Sequence, residues 1–254
     1  MAKQKSIKTL HLMQTSYGRL IQSSFYFFSF SILGIFFSAP GQTFLISLAI
    51  PTICSLVNIT ELMFAGIYSS ATLIASLCLP IIGKKIDAWP AKKSIIFNTL
   101  FFGSSLFLFA VSRNASLLFL ALFFMRLFGQ GALTLTATSH TIKRFNQHRG
   151  AALSLTQLGY PLSEFVFPSV FLFLFNLLGL SLTYALFGLS IFLLYLPLTY
   201  GGISADSTPP ELTKPKQQKS VAVRLVLKDP FFPLYVLLSS IPPIMMTAAF
   251  YFQM

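Results

Sequence analysis

The chain has 254 residues, of which 55% are hydrophobic and only 9% are charged, and its mean hydropathy is +0.75. An ordinary soluble domain is about 25% charged, so the composition excludes that class and indicates an integral membrane protein. A net charge of +12 would suggest nucleic-acid binding in a soluble protein. Here the basic residues lie in short gaps between apolar runs, where they orient a protein in the membrane, so we predict no nucleic-acid partner.

Six apolar segments follow one another, each near or above the ~20 residues that a helix needs to cross the hydrocarbon. Open strands are excluded there because their unpaired backbone groups would find no water. The predicted crossings span about residues 20–50, 60–82, 94–112, 116–142, 150–176 and 180–200. We expect the first helix to continue through Pro40 with a kink. We expect Asn58 and Glu61 to cap the start of the second helix.

Polar or incomplete segments flank the six crossings. Residues 1–19 are polar and basic, and residues 201–229 are rich in Gly, Pro, Ser, Lys and Gln, as is typical of a solvated linker. A seventh apolar segment occupies 230–254 and stops at Met254 without a polar anchor. We therefore expect a truncated seventh transmembrane helix.

The basic residues alternate between the two sides of this arrangement. All of the 18 Lys and Arg residues except Arg113 and Arg126 fall in the amino-terminal segment, in every second turn, or in the linker. The positive-inside rule then places the amino terminus and the linker in the cytoplasm, with six complete crossings between them. We predict a multi-pass protein of the plasma (inner) membrane.

The turn after the second segment combines a glycine, an acid and several lysines. Gly83 permits close approach of two backbones at a helix end, and Asp87 can join two helix ends through charge-assisted bonds. We predict that this turn holds two cytoplasmic helix ends together. The alternative is that Asp87 is a solvated turn residue and the lysines only set topology.

Six helices, a long linker and the start of a seventh helix resemble the amino-terminal half of a major facilitator superfamily transporter. In that family the turn carries Gly-x-x-x-Asp-x-x-Gly-Arg-Lys/Arg; this chain matches at Gly83, Asp87 and the basic pair, but has Pro90 and Ala91 in place of Gly-Arg. Arg126 followed by glycines is similar to helix four of the family. The resemblance implies a six-helix bundle built as a 3+3 inverted repeat. It also implies that Gly83, Asp87, Lys92 and Lys93 form a gating turn that braces one transport state. The partner of this half would be a missing carboxyl-terminal half or a second copy.

Two ionisable groups lie deep in apolar segments, Arg126 in the fourth and Glu164 in the fifth. At ~1.5 Å per residue they lie about 25 and 22 Å from the basic turn between these segments, near mid-membrane. A charge there costs ~2.5–3.5 kcal/mol on insertion scales, so it should face a partner or a water-filled cavity. Polar residues continue each stripe at four-residue spacing. These are Gln130, Thr134 and Thr138 with Arg126, and Thr156 and Tyr160 with Glu164.

We interpret the two stripes as the lining of a central pathway in which Arg126 attracts an anion or balances Glu164, and Glu164 takes up a proton. The resemblance adds that substrate sites of this superfamily lie at mid-membrane. The alternative is a structural ion pair that locks the two helices together. Gln42, near the expected kink, is a further candidate for the lining. Gly159 and Ser163 are assigned to helix packing.

The predicted function is secondary active transport of a small solute by alternating access, with coupling to H+ and an organic anion as the candidate substrate. The alternative is a truncated, non-transporting remnant or a membrane assembly subunit. We predict that the chain is not an enzyme, since its acidic residues are scattered. Cys54 and Cys78 fall toward opposite ends of the membrane in this arrangement, so we predict no disulfide. The cysteines and histidines lack metal-binding spacing, so we predict no metal site. We also predict no cofactor.

Overall fold

The computed structural model describes residues 25–145, 148–205 and 230–252, and every regular element in these ranges is helical. The predicted all-α class is confirmed. Five described helices are long and apolar enough to cross a membrane: Phe25–Ser47, Glu61–Ala88, Ala91–Val111, Ala115–Arg144 and Arg149–Gly201. The last has 53 residues, about 80 Å of helix against ~30 Å of hydrocarbon. It divides at Gly179, whose φ of +76° interrupts the helical backbone, so it makes two crossings.

We number the helices along the chain. Helix 1 comprises residues 25–57, helix 2 Glu61–Ala88, helix 3 Ala91–Val111, helix 4 Ala115–Arg144, helix 5 residues 149–178, helix 6 residues 180–205 and helix 7 Phe232–Phe252. Helix 6 thus continues to Ala205, five residues beyond its predicted end. The predicted amino-terminal segment 1–19 and the rest of the linker, 206–229, lie outside the described residues.

Helix 1 is discontinuous rather than kinked. It consists of Phe25–Phe36, a 3-10 turn over Ala39–Gly41, then Thr43–Ser47 and Ile50–Val57. Pro40 has no N–H to donate to a preceding helical turn. Gln42 follows it with extended backbone angles of −86° and 154°. The prediction of a continuous helix through Pro40 is therefore wrong.

The ends of helices 1 and 2 also differ from prediction. Asn58 adopts φ 56° and closes helix 1 as a left-handed C-cap, which asparagine tolerates. Thr60 caps helix 2, because its hydroxyl accepts a hydrogen bond from the Met63 N–H at 3.2 Å. Helix 2 runs on to Ala88, so Gly83 and Asp87 lie in its last turns. The connection to helix 3 is only Trp89 and Pro90.

Helices 1 and 4 pack antiparallel in the core. Ser31 bonds Thr141 at 2.9 Å, Gly34 faces Ala137, and Gly41 faces the carbonyl of Met125. Helices 5 and 6 form an antiparallel pair through ring contacts of Phe167 with Phe187 and of Phe171 with Tyr184. Gly159 of helix 5 lies directly against Ile32 and Ile35 of helix 1, which agrees with its predicted role in helix packing. Large apolar side chains on the outside are suited to lipid, including Leu62 and Phe165.

Candidate functional site

Helix 4 changes pitch in its middle. Met125–Leu133 is π-helical, with ordinary α-helix on both sides. Such segments occur mostly as short insertions and often at functional sites. Two glycines permit close packing here: a Cβ on Gly129 would collide with the Phe102 ring, and one on Gly131 would approach Leu79 to 2.9 Å. The π-helical segment therefore carries Arg126 into a tightly packed part of the bundle.

Arg126 is held by the broken part of helix 1. Its Nη1 donates to the Gly41 carbonyl oxygen at 3.2 Å and to Thr43 Oγ1 at 3.3 Å. The Tyr68 ring of helix 2 lies 5.1 Å from the guanidinium carbon. The Tyr68 hydroxyl bonds Thr43 at 2.9 Å, so three helices fix the orientation of the arginine. The helix break exposes the carbonyl that this arginine needs.

These contacts leave part of the hydrogen-bonding capacity of Arg126 unused. Its side chain is only 8% exposed, and its Nε has no hydrogen-bond partner among the described residues. Neither Arg126 nor Glu164 forms an ion pair within the described part of the chain, so the alternative of a structural Arg126–Glu164 pair is wrong for this structure. A buried polar group without a partner costs about 1–3 kcal/mol, and more when charged. The arginine is thus suited to an anion from outside the chain.

Arg126 borders a cavity of about 430 Å³ between helices 2, 4 and 5. This volume lies within the ~300–1,000 Å³ range of small-molecule sites. One wall is the predicted stripe of helix 4, with Arg126, Gln130, Thr134 and Thr138. The remaining lining residues are Thr72, Ala75, Ser76, Leu79, Leu127, Gly131, Leu135 and Tyr160. The structure thus brings the helix 4 stripe together around one space; its role in transport stays a prediction.

Gln42 does not line the cavity. It is 7% exposed and donates from Nε2 to Ser38 Oγ at 3.0 Å, so its amide is engaged within helix 1. Its proposed place in the lining stays a prediction.

The helix 5 stripe is only partly at the site. Thr156 is fully buried and bonds Thr141 at 3.2 Å, so it joins helices 4 and 5 and its predicted place in the lining is wrong. Glu164 is half-buried, lies one helical turn beyond Tyr160, and does not line the cavity. Of this stripe, Tyr160 alone reaches the cavity among the described residues.

The predicted gating turn is divided between two places. Asp87, on the last turn of helix 2, accepts from Lys143 at 3.0 Å and from Ser139, both on helix 4. Gly83, one turn earlier, lies against Leu135 of the same helix. The two other lysines do not join this bridge: Lys92 lies over the Tyr200 ring, and Lys93 over the Trp89 ring.

Sequence reasoning missed the contribution of helix 2. Thr72, Ser76 and Leu79 form the wall that faces Gln130 and Thr134, and Tyr68 covers the guanidinium. Their spacing of four, four and three residues places them on one helical face, which was a usable signal. No sequence signal indicated the role of the Gly41 carbonyl, because this oxygen is available to Arg126 only through the break in helix 1.

The chain was compared with known proteins at the level of families, curated proteins and solved structures. The model of the Major Facilitator Superfamily matches residues 21–254. No curated protein and no solved structure matches the chain.

Proposed function

The chain belongs to the major facilitator superfamily, whose members are membrane transporters, and from that premise we propose that it moves a small organic anion by alternating access as a secondary active transporter. It is a multi-pass membrane protein, as its apolar helices require. We propose the plasma membrane as its location, with the amino terminus in the cytoplasm. The proposal also includes a second bundle facing the cavity, provided by a carboxyl-terminal half or by a second copy.

One observation carries the choice of an anion. Arg126 is nine-tenths buried, borders the cavity, and has no acidic partner in the described ranges. An anion bound there would supply the partner that a charge at this depth requires. The fork geometry of a guanidinium suits a carboxylate, which can accept two parallel N–H bonds.

Glu164 is the group that we propose for proton coupling. It is half-buried, forms no ion pair within the described residues, and lies one helical turn beyond Tyr160 of the cavity wall. A carboxylate in a membrane helix can become neutral by taking up a proton, which lowers the cost of moving it past lipid.

Asp87 is proposed as a latch between helices 2 and 4. The carboxylate and Lys143 are 62% and 43% exposed, and an exposed pair of this kind contributes only about 0–1 kcal/mol. A contact of that strength can form and break during a transport cycle without threatening the fold.

The test is uptake of radiolabelled organic anions into liposomes that contain the purified chain. We expect uptake, recovery of the solute chemically unchanged, and loss of uptake in Arg126→Gln. Arg126→Lys keeps the charge without the planar fork and should retain a small part of the activity. Wild-type uptake by Arg126→Gln would remove the arginine from the pathway.

Proton coupling needs a separate comparison. Glu164→Gln should still exchange labelled for unlabelled solute across the bilayer, because exchange needs no net proton movement. It should lose accumulation driven by an inward proton gradient. Gradient-driven accumulation at the wild-type level in Glu164→Gln would contradict the coupling role.

A further inference from the structure

We propose that the anion is a hydroxylated carboxylate, bound with its carboxylate at Arg126 and its hydroxyl groups along helix 4. This assignment rests on the proposed function and narrows it to a substrate class. It depends on which hydrogen-bonding capacities the cavity wall leaves unused.

Three wall hydroxyls have already donated their protons, whereas Thr72 Oγ1 has no hydrogen-bond partner among the described residues. Thr134 Oγ1 donates to the Gln130 carbonyl oxygen at 2.6 Å, and Thr138 Oγ1 to the Thr134 carbonyl oxygen at 2.9 Å. Across the cavity, Ser76 Oγ donates to the Leu73 carbonyl oxygen at 2.7 Å. Each hydroxyl has one proton and two lone pairs, so these three groups offer acceptors to a solute and no donor.

Arg126 has the opposite character. A guanidinium has five N–H donors and no acceptor, and the two hydrogen bonds from Arg126 to helix 1 both leave from Nη1. Gln130 lies between the two regions and offers both a donor and an acceptor. The cavity therefore combines a cationic donor at Arg126 with the three acceptors and with Thr72 and Gln130, which can each both donate and accept.

A complementary solute has an anionic acceptor at one end and neutral donors on its body. Hydroxyl groups meet this requirement. An ammonium group would also donate, but no lining residue of the cavity is acidic and Arg126 would repel it. An unsubstituted fatty carboxylate would leave the row of lone pairs unpaired and desolvated.

The dimensions favour a body longer than two or three carbons. Gln130 and Thr134 are four and eight residues beyond Arg126, roughly 6 and 12 Å along a helix axis. A six-carbon acid with a hydrogen bond at each end spans about this distance, so it reaches Gln130 and Thr134 from Arg126 but not Thr138, a further turn away.

The experiment measures equilibrium binding of four probes to the purified full chain by titration calorimetry. Gluconate carries both features, hexanoate only the carboxylate, sorbitol only the hydroxyls, and 6-aminohexanoate a carboxylate with an ammonium group. We expect gluconate to bind most tightly, and Arg126→Gln to abolish its binding.

Variants then test the acceptors one at a time. Ser76→Ala and Thr134→Val should each weaken gluconate binding about three- to tenfold, the range for one hydrogen bond, and leave hexanoate unchanged. Thr134→Ser keeps the hydroxyl and should bind gluconate as wild type does. Thr199→Val is the matched control. Thr199 follows the other π-helical segment, donates to Tyr195 and Leu196 carbonyls at 2.7 and 3.2 Å, and lies outside the cavity.

Each other outcome overturns the assignment. Hexanoate binding at least as tightly as gluconate, with dependence on Arg126, would refute the hydroxylated class and leave the anion transporter standing. Tightest binding of 6-aminohexanoate would replace it by a zwitterion. Equal binding of sorbitol and gluconate, or no binding of any anion, would refute the proposed function as well.

Discussion

Replacing Gly41 by alanine tests the junction on which the site depends. A Cβ at this position would lie 2.8 Å from the Met125 carbonyl oxygen and 3.1 Å from the Phe102 ring. The oxygen belongs to backbone and cannot rotate away, so helix 1 has to move from helix 4. The same movement stretches the bond from Arg126 Nη1 to the Gly41 carbonyl.

The expected loss of unfolding free energy has two parts. Overpacking of a close contact typically costs ~1–3 kcal/mol. Weakening a hydrogen bond from a charged donor adds up to ~1.5–3 kcal/mol. We therefore expect Gly41→Ala to lose about 2–5 kcal/mol of stability, together with most of its gluconate affinity.

The assay is thermal unfolding of the purified variants in one detergent, with Gly150→Ala as the control. Gly150 lies in the first turn of helix 5, and a Cβ there would meet no atom within 4 Å. The control should unfold at or slightly above the wild-type temperature, because alanine is the better helix former. Equal unfolding temperatures for Gly41→Ala and Gly150→Ala would refute the close contact of helices 1 and 4.

Three further predictions address other parts of the chain. Gly179→Ala should lower the free energy of unfolding by about 1–3 kcal/mol, because φ +76° with ψ 175° is a backbone conformation that only glycine adopts readily. Thermal unfolding of the variant measures the loss. Asp87→Asn should lower the free energy of unfolding by less than about 1 kcal/mol, and by less again in high salt, because its salt bridge to Lys143 is exposed. Urea titration at two salt concentrations checks this. Impermeant thiol reagents should label Arg113→Cys from outside and Lys216→Cys only after the membrane is opened, and the reverse pattern would contradict the predicted topology.

Periodicity predicted the features that depend on one helix at a time. The four-residue spacing from Arg126 to Thr138 places these residues on one face whatever the bundle does, and they do line one cavity. The helical class was predictable for a similar reason, because apolar length constrains it before any packing is considered. The family was predicted from the resemblance of the helix order and of the turn that carries Gly83 and Asp87.

Local departures from regular helix, and features that depend on how two helices pack, were not predictable in this way. The π-helical segment at Met125–Leu133 and the extended Gln42 are local departures from regular helix, so four-residue counting cannot reveal them. Rotation of helix 5 about its axis was equally hidden. It brings Tyr160 to the cavity but buries Thr156 against helix 4 and leaves Glu164 without the predicted partner.

Chemical labelling of Gln130→Cys tests most directly whether the space beside Arg126 is a pathway across the membrane. The variant is made in a chain in which Cys54 and Cys78 are replaced by serine. Intact vesicles of each orientation are treated with an impermeant maleimide, with and without the transported anion. The account predicts labelling from both sides and slower labelling when the anion is present. Labelling from one side only, or an anion without effect, would contradict it.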